Sequence, residues 1–177
     1  MAGDERLRLF CALRLPEQTI ERLVPWQHRE LRGGQLVPPE NLHLTLAFLG
    51  GRPAAELPAI AGVLRGAAAH ARPVRLRLHG YRETGSVAML TFEDEGGAAT
   101  ALAEELHGGL ERLGVYRREA RAWLPHVTVL RFRERPRLRP ELPELGEVSP
   151  SDAAVFISRL RPGGAEYESV ETVALGG

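Results

Sequence analysis

The sequence predicts an α+β fold built on a duplicated strand–helix–strand unit, and three observations carry that prediction. Segments that alternate apolar and polar residues, as half-buried strands do, are separated by three segments in which leucine, isoleucine and alanine recur at helical spacing. A strand at Leu7, a helix and a strand at His43 are matched in order and approximate length by a strand at Val87, a helix and a strand at His126. Each copy closes on the same pattern, His43-Leu44-Thr45-Leu46 and His126-Val127-Thr128-Val129, 83 positions apart. No shorter period recurs, which excludes solenoids and propellers.

Taken in order, Arg6 to Leu15 alternates around Leu7, Leu9, Cys11 and Leu13, and Pro16 ends the strand. Pro16 to Arg32 reads as a helix with Ile20, Leu23 and Leu31 on its apolar side; Pro25 should kink or divide it, and Gly33-Gly34 stops it. Leu36 to Glu40 is a short proline-containing approach to the first histidine strand, which Gly50-Gly51-Arg52-Pro53 should terminate. Ala54 to His70 carries Leu57, Ile60, Ala61, Leu64 and Ala68 at helical spacing, closed by Pro73. Val74 to Tyr81 and Val87 to Phe92 form a hairpin about Glu83 to Ser86. Gly97 to Leu113 is a helix ended by Gly114, and the second histidine strand follows. Arg133 to Pro150, rich in proline and charge, reads as a long surface loop, and Val155 to Leu160 with Tyr167 to Leu175 as a last hairpin about Arg161 to Gly164.

The length of 177 residues fits one compact domain, or two small lobes sharing a cleft, so residues 1–177 are expected to form a single unit. Forty-four per cent of residues are apolar, with no membrane-length apolar run and no basic-then-apolar leader, so a soluble, cytoplasmic protein without membrane association is expected, acting as a monomer. Cys11 is the single cysteine, which excludes an intrachain disulfide and a thiolate metal cluster. Twenty-three basic against 23 acidic residues leave no overall positive field, so any nucleic-acid contact must be local. Every basic residue counted there is arginine, and with so much alanine, glycine and proline that reads first as codon bias.

Side chains alternate along a strand, so His43 and Thr45 project together, as do His126 and Thr128. Two histidines meeting two hydroxyls suit phosphoryl chemistry on a diester. One neutral imidazole takes a proton from water, one imidazolium protonates the departing oxygen, and both forms coexist near neutral pH. The hydroxyls can donate to non-bridging phosphate oxygens. The arrangement calls for no metal or cofactor, and neither motif has a paired carboxylate or His-x-x-x-His spacing. A single His-x-Thr reads as readily as a buried polar pair in a strand; two matched copies favour the chemical reading. His28, His70, His79 and His107 have no threonine partner and read as surface or structural residues.

The paired motifs resemble the signature of the two-histidine phosphoesterases. Arg6 to Pro16, Pro39 to Gly50, Leu124 to Arg131 and the terminal Ile157-Ser158-Arg159-Leu160 with Gly164 and Tyr167 resemble, more narrowly, the RNA 2′,3′-cyclic phosphodiesterases, also called 2′-5′ RNA ligases. The resemblance runs almost end to end, departing at Arg14, where an acidic residue is common, and at Leu36-Val37-Pro38, where an aromatic is usual. It implies a bilobal fold of two pseudo-symmetric lobes, mainly antiparallel sheet with helices outside and a central cleft. It implies metal-free, cofactor-free hydrolysis of a 2′,3′-cyclic phosphate RNA end to a 2′-phosphate, tRNA halves being one such substrate, and reversible ATP-independent 2′-5′ ligation. By position it makes His43 the proton donor and His126 the proton acceptor, which the near-identical motifs alone do not distinguish, with Thr45, Thr128 and Arg131 on the phosphate. Strict alternation from His126 would turn Arg131 to the opposite face, so its membership requires a bulge or the strand's end.

A phosphodiesterase for small cyclic nucleotides, distinguished by cleft width and charge, and a non-catalytic module binding RNA ends are the alternative functions; the intact motifs argue against the second. Arg131, Arg133, Arg135, Arg137 and Arg139 would line one side of an extended segment toward RNA, and a solvated loop explains the same run. Phe48 and Trp123 are the aromatics nearest the motifs and suit stacking on a base, although core packing is the expected use of Phe48.

Overall fold

The computed structural model describes residues 5–176. Nine strands and three α-helices run β1 (Arg6–Arg14), α1 (Glu17–Glu30), β2 (Gln35–Leu36), β3 (His43–Pro53), α2 (Leu57–Ala69), β4 (Leu76–Glu83), β5 (Val87–Asp94), α3 (Ala98–Leu113), β6 (His126–Arg131), β7 (Glu147–Val148), β8 (Asp152–Arg161) and β9 (Gly164–Ala174) among the described residues. They form two sheets, β3-β1-β8-β9 and β2-β6-β5-β4-β7, and every strand pair in them is antiparallel. The α+β class and the repeat both hold: β1 pairs with β3 as β5 pairs with β6, and a further strand, β8 or β4, flanks each pair. The first sheet is completed by the C-terminal hairpin, so the first strand and the last two belong to one lobe.

Leu9, Cys11, Leu13, Leu44, Leu46, Leu90, Val127 and Val129 from the two sheets and Leu23, Trp26, Leu64, Leu102 and Leu106 from the helices join one buried cluster. Burial of this kind contributes about 25 cal/mol per Å² of apolar surface. Cys11 is part of that core, and burial pushes its thiol up to about 12, so it stays protonated and inert.

The helices cross between lobes. Helix α1 leads from β1 of the first sheet to β2 of the second, Trp26 Nε1 donates to Glu141 O at 2.6 Å, and Gln27 reaches β6 of the second sheet. Helix α3 joins two strands of the second sheet and contacts β3 of the first.

Two expectations are corrected and one is narrowed. Pro25 does not divide α1: it lies on the exposed side, where the Glu21 carbonyl that loses its N–H partner faces water. Within Gly50-Gly51-Arg52-Pro53 it is Pro53 and not the glycine pair that ends β3; Leu49 is an extra residue opposite the Leu9–Phe10 step, and Gly50 takes a positive φ of 68° beside it. The segment 133–150 is not wholly a surface loop, because Leu145 and Val148 are buried and Glu147–Val148 pairs with β4.

Candidate active site

Each motif strand carries a surplus residue at the same place, three positions after its histidine. In β3, Ala47 pairs with Cys11 and Thr45 with Ala12, which leaves Leu46 without a register partner. In β6, Leu130 pairs with Ala88 and Thr128 with Met89, which leaves Val129 without one. A surplus residue reverses the alternation beyond it. His43, Thr45 and Phe48 therefore share one face of β3, and His126, Thr128 and Arg131 share one face of β6, while Leu44, Leu46, Ala47, Val127, Val129 and Leu130 are buried in the core. Arg131 thus stands on the motif face, by the bulge that its membership required. Gly34 brings β2 onto this strand: a Cβ there would collide with the Arg131 carbonyl oxygen.

Both imidazoles are oriented in the same way. His43 Nδ1 lies 2.7 Å from Asn41 O, and His126 Nδ1 lies 2.9 Å from Leu124 O. A carbonyl only accepts, so each Nδ1 carries the proton and each Nε2 holds the lone pair when the ring is neutral. In the first motif Thr45 Oγ1 lies 2.8 Å from His43 Nε2. Trp123 Nε1 donates to Thr45 O at 3.0 Å, so the approach to the second motif is fastened to the first. Asn41 is buried, and its Nδ2 donates to Ala165 O at 2.8 Å, tying the approach to β3 to the C-terminal hairpin.

The two motif strands are in contact, and their charges act on one another. Burial lowers the His43 pKa to about 4; the hydrogen bond to Asn41 opposes that shift, and the nearby Arg131 and His126 charges add to it. Phe10 forms the floor beside His43, with ring centroids 4.9 Å apart, and stacks at 5.1 Å on Phe156; Tyr167 meets the His43 ring edge-on at 5.4 Å. Among the described residues no three His, Cys, Asp or Glu side chains gather as metal ligands would.

His43 and Thr45 on one face of β3 and His126, Thr128 and Arg131 on one face of β6 belong to strands in contact, and the charges of Arg131 and His126 reach His43. The structure moves Phe48, expected in the core, to the surface, where it is 66% exposed and 5.8 Å from Phe10. The arginine run does not form one extended row: Arg137 has φ 55°, and Arg135 pairs with Glu83 at 3.2 Å. Sequence reading passed over Gln27 and gave His107 no part in the site. Gln27 Nε2 donates to Val129 O at 2.9 Å and Val37 O at 3.0 Å, and His107 Nε2 donates to Leu46 O at 2.7 Å. The available signal was a polar residue on the apolar side of an amphipathic helix, beside Trp26 in one case and Leu106 in the other.

Two pseudo-symmetric antiparallel sheets, each presenting a His-x-Thr strand on which the histidine is locked by a carbonyl two residues upstream, define the class of the two-histidine phosphoesterases. Within it, the chain belongs to the 2′-5′ RNA ligase superfamily, whose model matches residues 15–161. It is 36% identical over 182 residues to an RNA 2′,3′-cyclic phosphodiesterase of Thermus thermophilus, covering 97% of this chain and 91% of the relative. It is 31% identical over 139 residues to one of Escherichia coli, covering 72% and 73%. A crystal structure from Thermus thermophilus superposes with a TM-score of 0.82 at 34% identity, covering 97% and 99% of the two chains. That of Escherichia coli LigT complexed with 3′-AMP does so at 0.80 and 25%, covering 98% and 100%.

Proposed function

We propose that the protein hydrolyses RNA 2′,3′-cyclic phosphate ends to 2′-phosphates by paired general acid–base catalysis from His43 and His126. The observation that carries this reading is the matched locking of the two imidazoles. Each Nδ1 is committed to a carbonyl, each Nε2 is left to exchange a proton, and the charge of His126 is felt at His43. The names of the relatives and the 3′-AMP held by the similar LigT fold support an RNA-end substrate.

In this mechanism His126 Nε2 accepts the proton of a water that attacks phosphorus. The bond to the 3′ oxygen breaks, and His43 Nε2–H delivers a proton to that oxygen. Thr45, Thr128 and Arg131 bind the non-bridging oxygens, where charge accumulates in the transition state. An entering phosphate takes His43 Nε2 from Thr45, and its negative charge raises the His43 pKa toward the protonated form that the acid role needs. With a 5′-hydroxyl in place of water, the same groups join two ends through a 2′-5′ linkage as the 3′ oxygen leaves; abundant water keeps ligation the lesser activity.

The test is an oligonucleotide ending in 2′,3′-cyclic phosphate, incubated in excess chelator. A 2′-phosphate product is expected, and a 3′-phosphate product or loss of turnover on chelation would overturn the reading.

A further inference from the structure

We propose that Gln27 and His107 are positioning residues that hold the motif strand of the opposite lobe in its bulged form. The proposal rests on the phosphodiesterase reading for its kinetic consequences and on geometry for the rest. A bulged residue has no register partner on the strand opposite, and its buried carbonyl takes its donors from elsewhere. The two carbonyls concerned are those of Leu46 and Val129, each directly after a motif threonine. His107 Nε2 donates to the first at 2.7 Å; Gln27 Nε2 and the Val37 N–H donate to the second, at 2.9 and 3.1 Å. Gln27 is 1% exposed and His107 6%, so water does not substitute for either.

The two clamps correspond across the pseudo-twofold. One comes from α1, which follows β1 of the first sheet, and holds β6 of the second; the other comes from α3, which connects β5 and β6 of the second, and holds β3 of the first. Each bulge decides which face the residue two places beyond it presents. Releasing the Val129 clamp therefore frees Arg131 to rotate away from His126 and Thr128, and releasing the Leu46 clamp does the same to Phe48. The helix of each repeat thus fixes the working face of the other, which ties the alignment of the two motifs to the docking of the two lobes. A purely structural core polar group would need no such relation to the motifs.

The experiment measures kcat/KM on the cyclic-phosphate oligonucleotide for Gln27→Met, His107→Leu and His107→Gln, each checked for folding by circular dichroism. Because small misplacements of reacting groups carry large rate penalties, Gln27→Met and His107→Leu should each lower kcat/KM by about 30- to 100-fold. His107→Gln retains an N–H donor of similar reach and should recover to within about fivefold of the unaltered protein. In an Arg131→Ala background the effect of Gln27→Met should shrink to less than about fivefold, since residues acting through one another are not additive. Folded variants that keep their rate, full additivity with Arg131→Ala, or His107→Gln as impaired as His107→Leu would overturn the proposal. On the unaltered protein, imidazole nitrogen shifts should place the His107 proton on Nε2. The other tautomer would leave Leu46 without its donor and overturn the clamp even if a variant fails to fold. An inactive unaltered protein would count against the phosphodiesterase reading, while the tautomer measurement would still decide the clamp.

Discussion

Phe48 and Arg131 occupy equivalent places in the two halves of the molecule: each is the fifth residue after its motif histidine, and each is turned to the histidine face by the bulge between them. The twofold repetition therefore supplies matching backbones and fills the matched positions with unlike chemistry. An aromatic ring stands on one lobe and a guanidinium on the other, and under the proposed function these suit the base and the phosphate of a nucleotide.

Phe48→Ala tests the aromatic side. With the ring 66% exposed, its removal should leave the melting temperature nearly unchanged. Stacking on a base contributes about 1–3 kcal/mol, so kcat/KM should fall by roughly five- to a hundredfold on RNA ends. A substrate that carries the cyclic phosphate without a base should show no such loss; equal loss on both would exclude stacking.

His43→Ala and His126→Ala should each lower turnover by roughly 10²- to 10⁴-fold, the usual contribution of a general acid or base. Circular dichroism should show both variants folded, since both imidazoles are only partly covered and neither is part of the apolar core. Either variant retaining more than a tenth of the original rate would remove that histidine from the mechanism.

Glu83 anchors the segment that leaves Arg131. Its side chain is 2% exposed and accepts from Tyr81 Oη at 2.6 Å, Leu138 N at 2.8 Å, Arg137 N at 2.9 Å and Arg135 Nε at 3.2 Å. Burial pushes its carboxyl pKa up, and these hydrogen bonds outweigh burial, so the net shift is downward. A depressed carboxylate adds stability that is present above the unfolded value and lost as pH falls through the folded one. Glu83→Gln should cost about 1–3 kcal/mol at neutral pH, since it leaves buried donors unmatched, and should flatten the acid side of the stability curve. Parallel curves for the two proteins would contradict this.

The motifs, the three helices and the repeated order were legible in the sequence because each is written in local periodicity and punctuation. The bulges were not, because a surplus residue is defined only by the strand opposite. One consequence is the error at Phe48: counting by twos from His43 puts it on the core side with Leu44 and Leu46, and the single extra residue at Leu46 reverses it. The same reversal brings Arg131 in. The crossing of helices was equally hidden, since an apolar stripe says that a helix is covered and not which sheet covers it. Gln27 and His107 belong to that hidden layer, as their partners lie 102 and 61 residues away.

The dependence of rate on pH joins His43 to Arg131. kcat/KM reports groups of the free protein, where burial holds His43 at about 4. Acid catalysis requires His43 protonated and His126 neutral. The profile of kcat/KM should therefore bend where His43 exchanges its proton, near pH 4. Arg131 contributes to that depression, so Arg131→Ala should lower kcat/KM by roughly 10- to 100-fold through lost phosphate contact and move the bend to higher pH. Titrating kcat/KM for both proteins decides the matter: a bend that stays fixed when the guanidinium is removed would separate Arg131 from His43, and one that moves to lower pH would reverse the sign of their interaction.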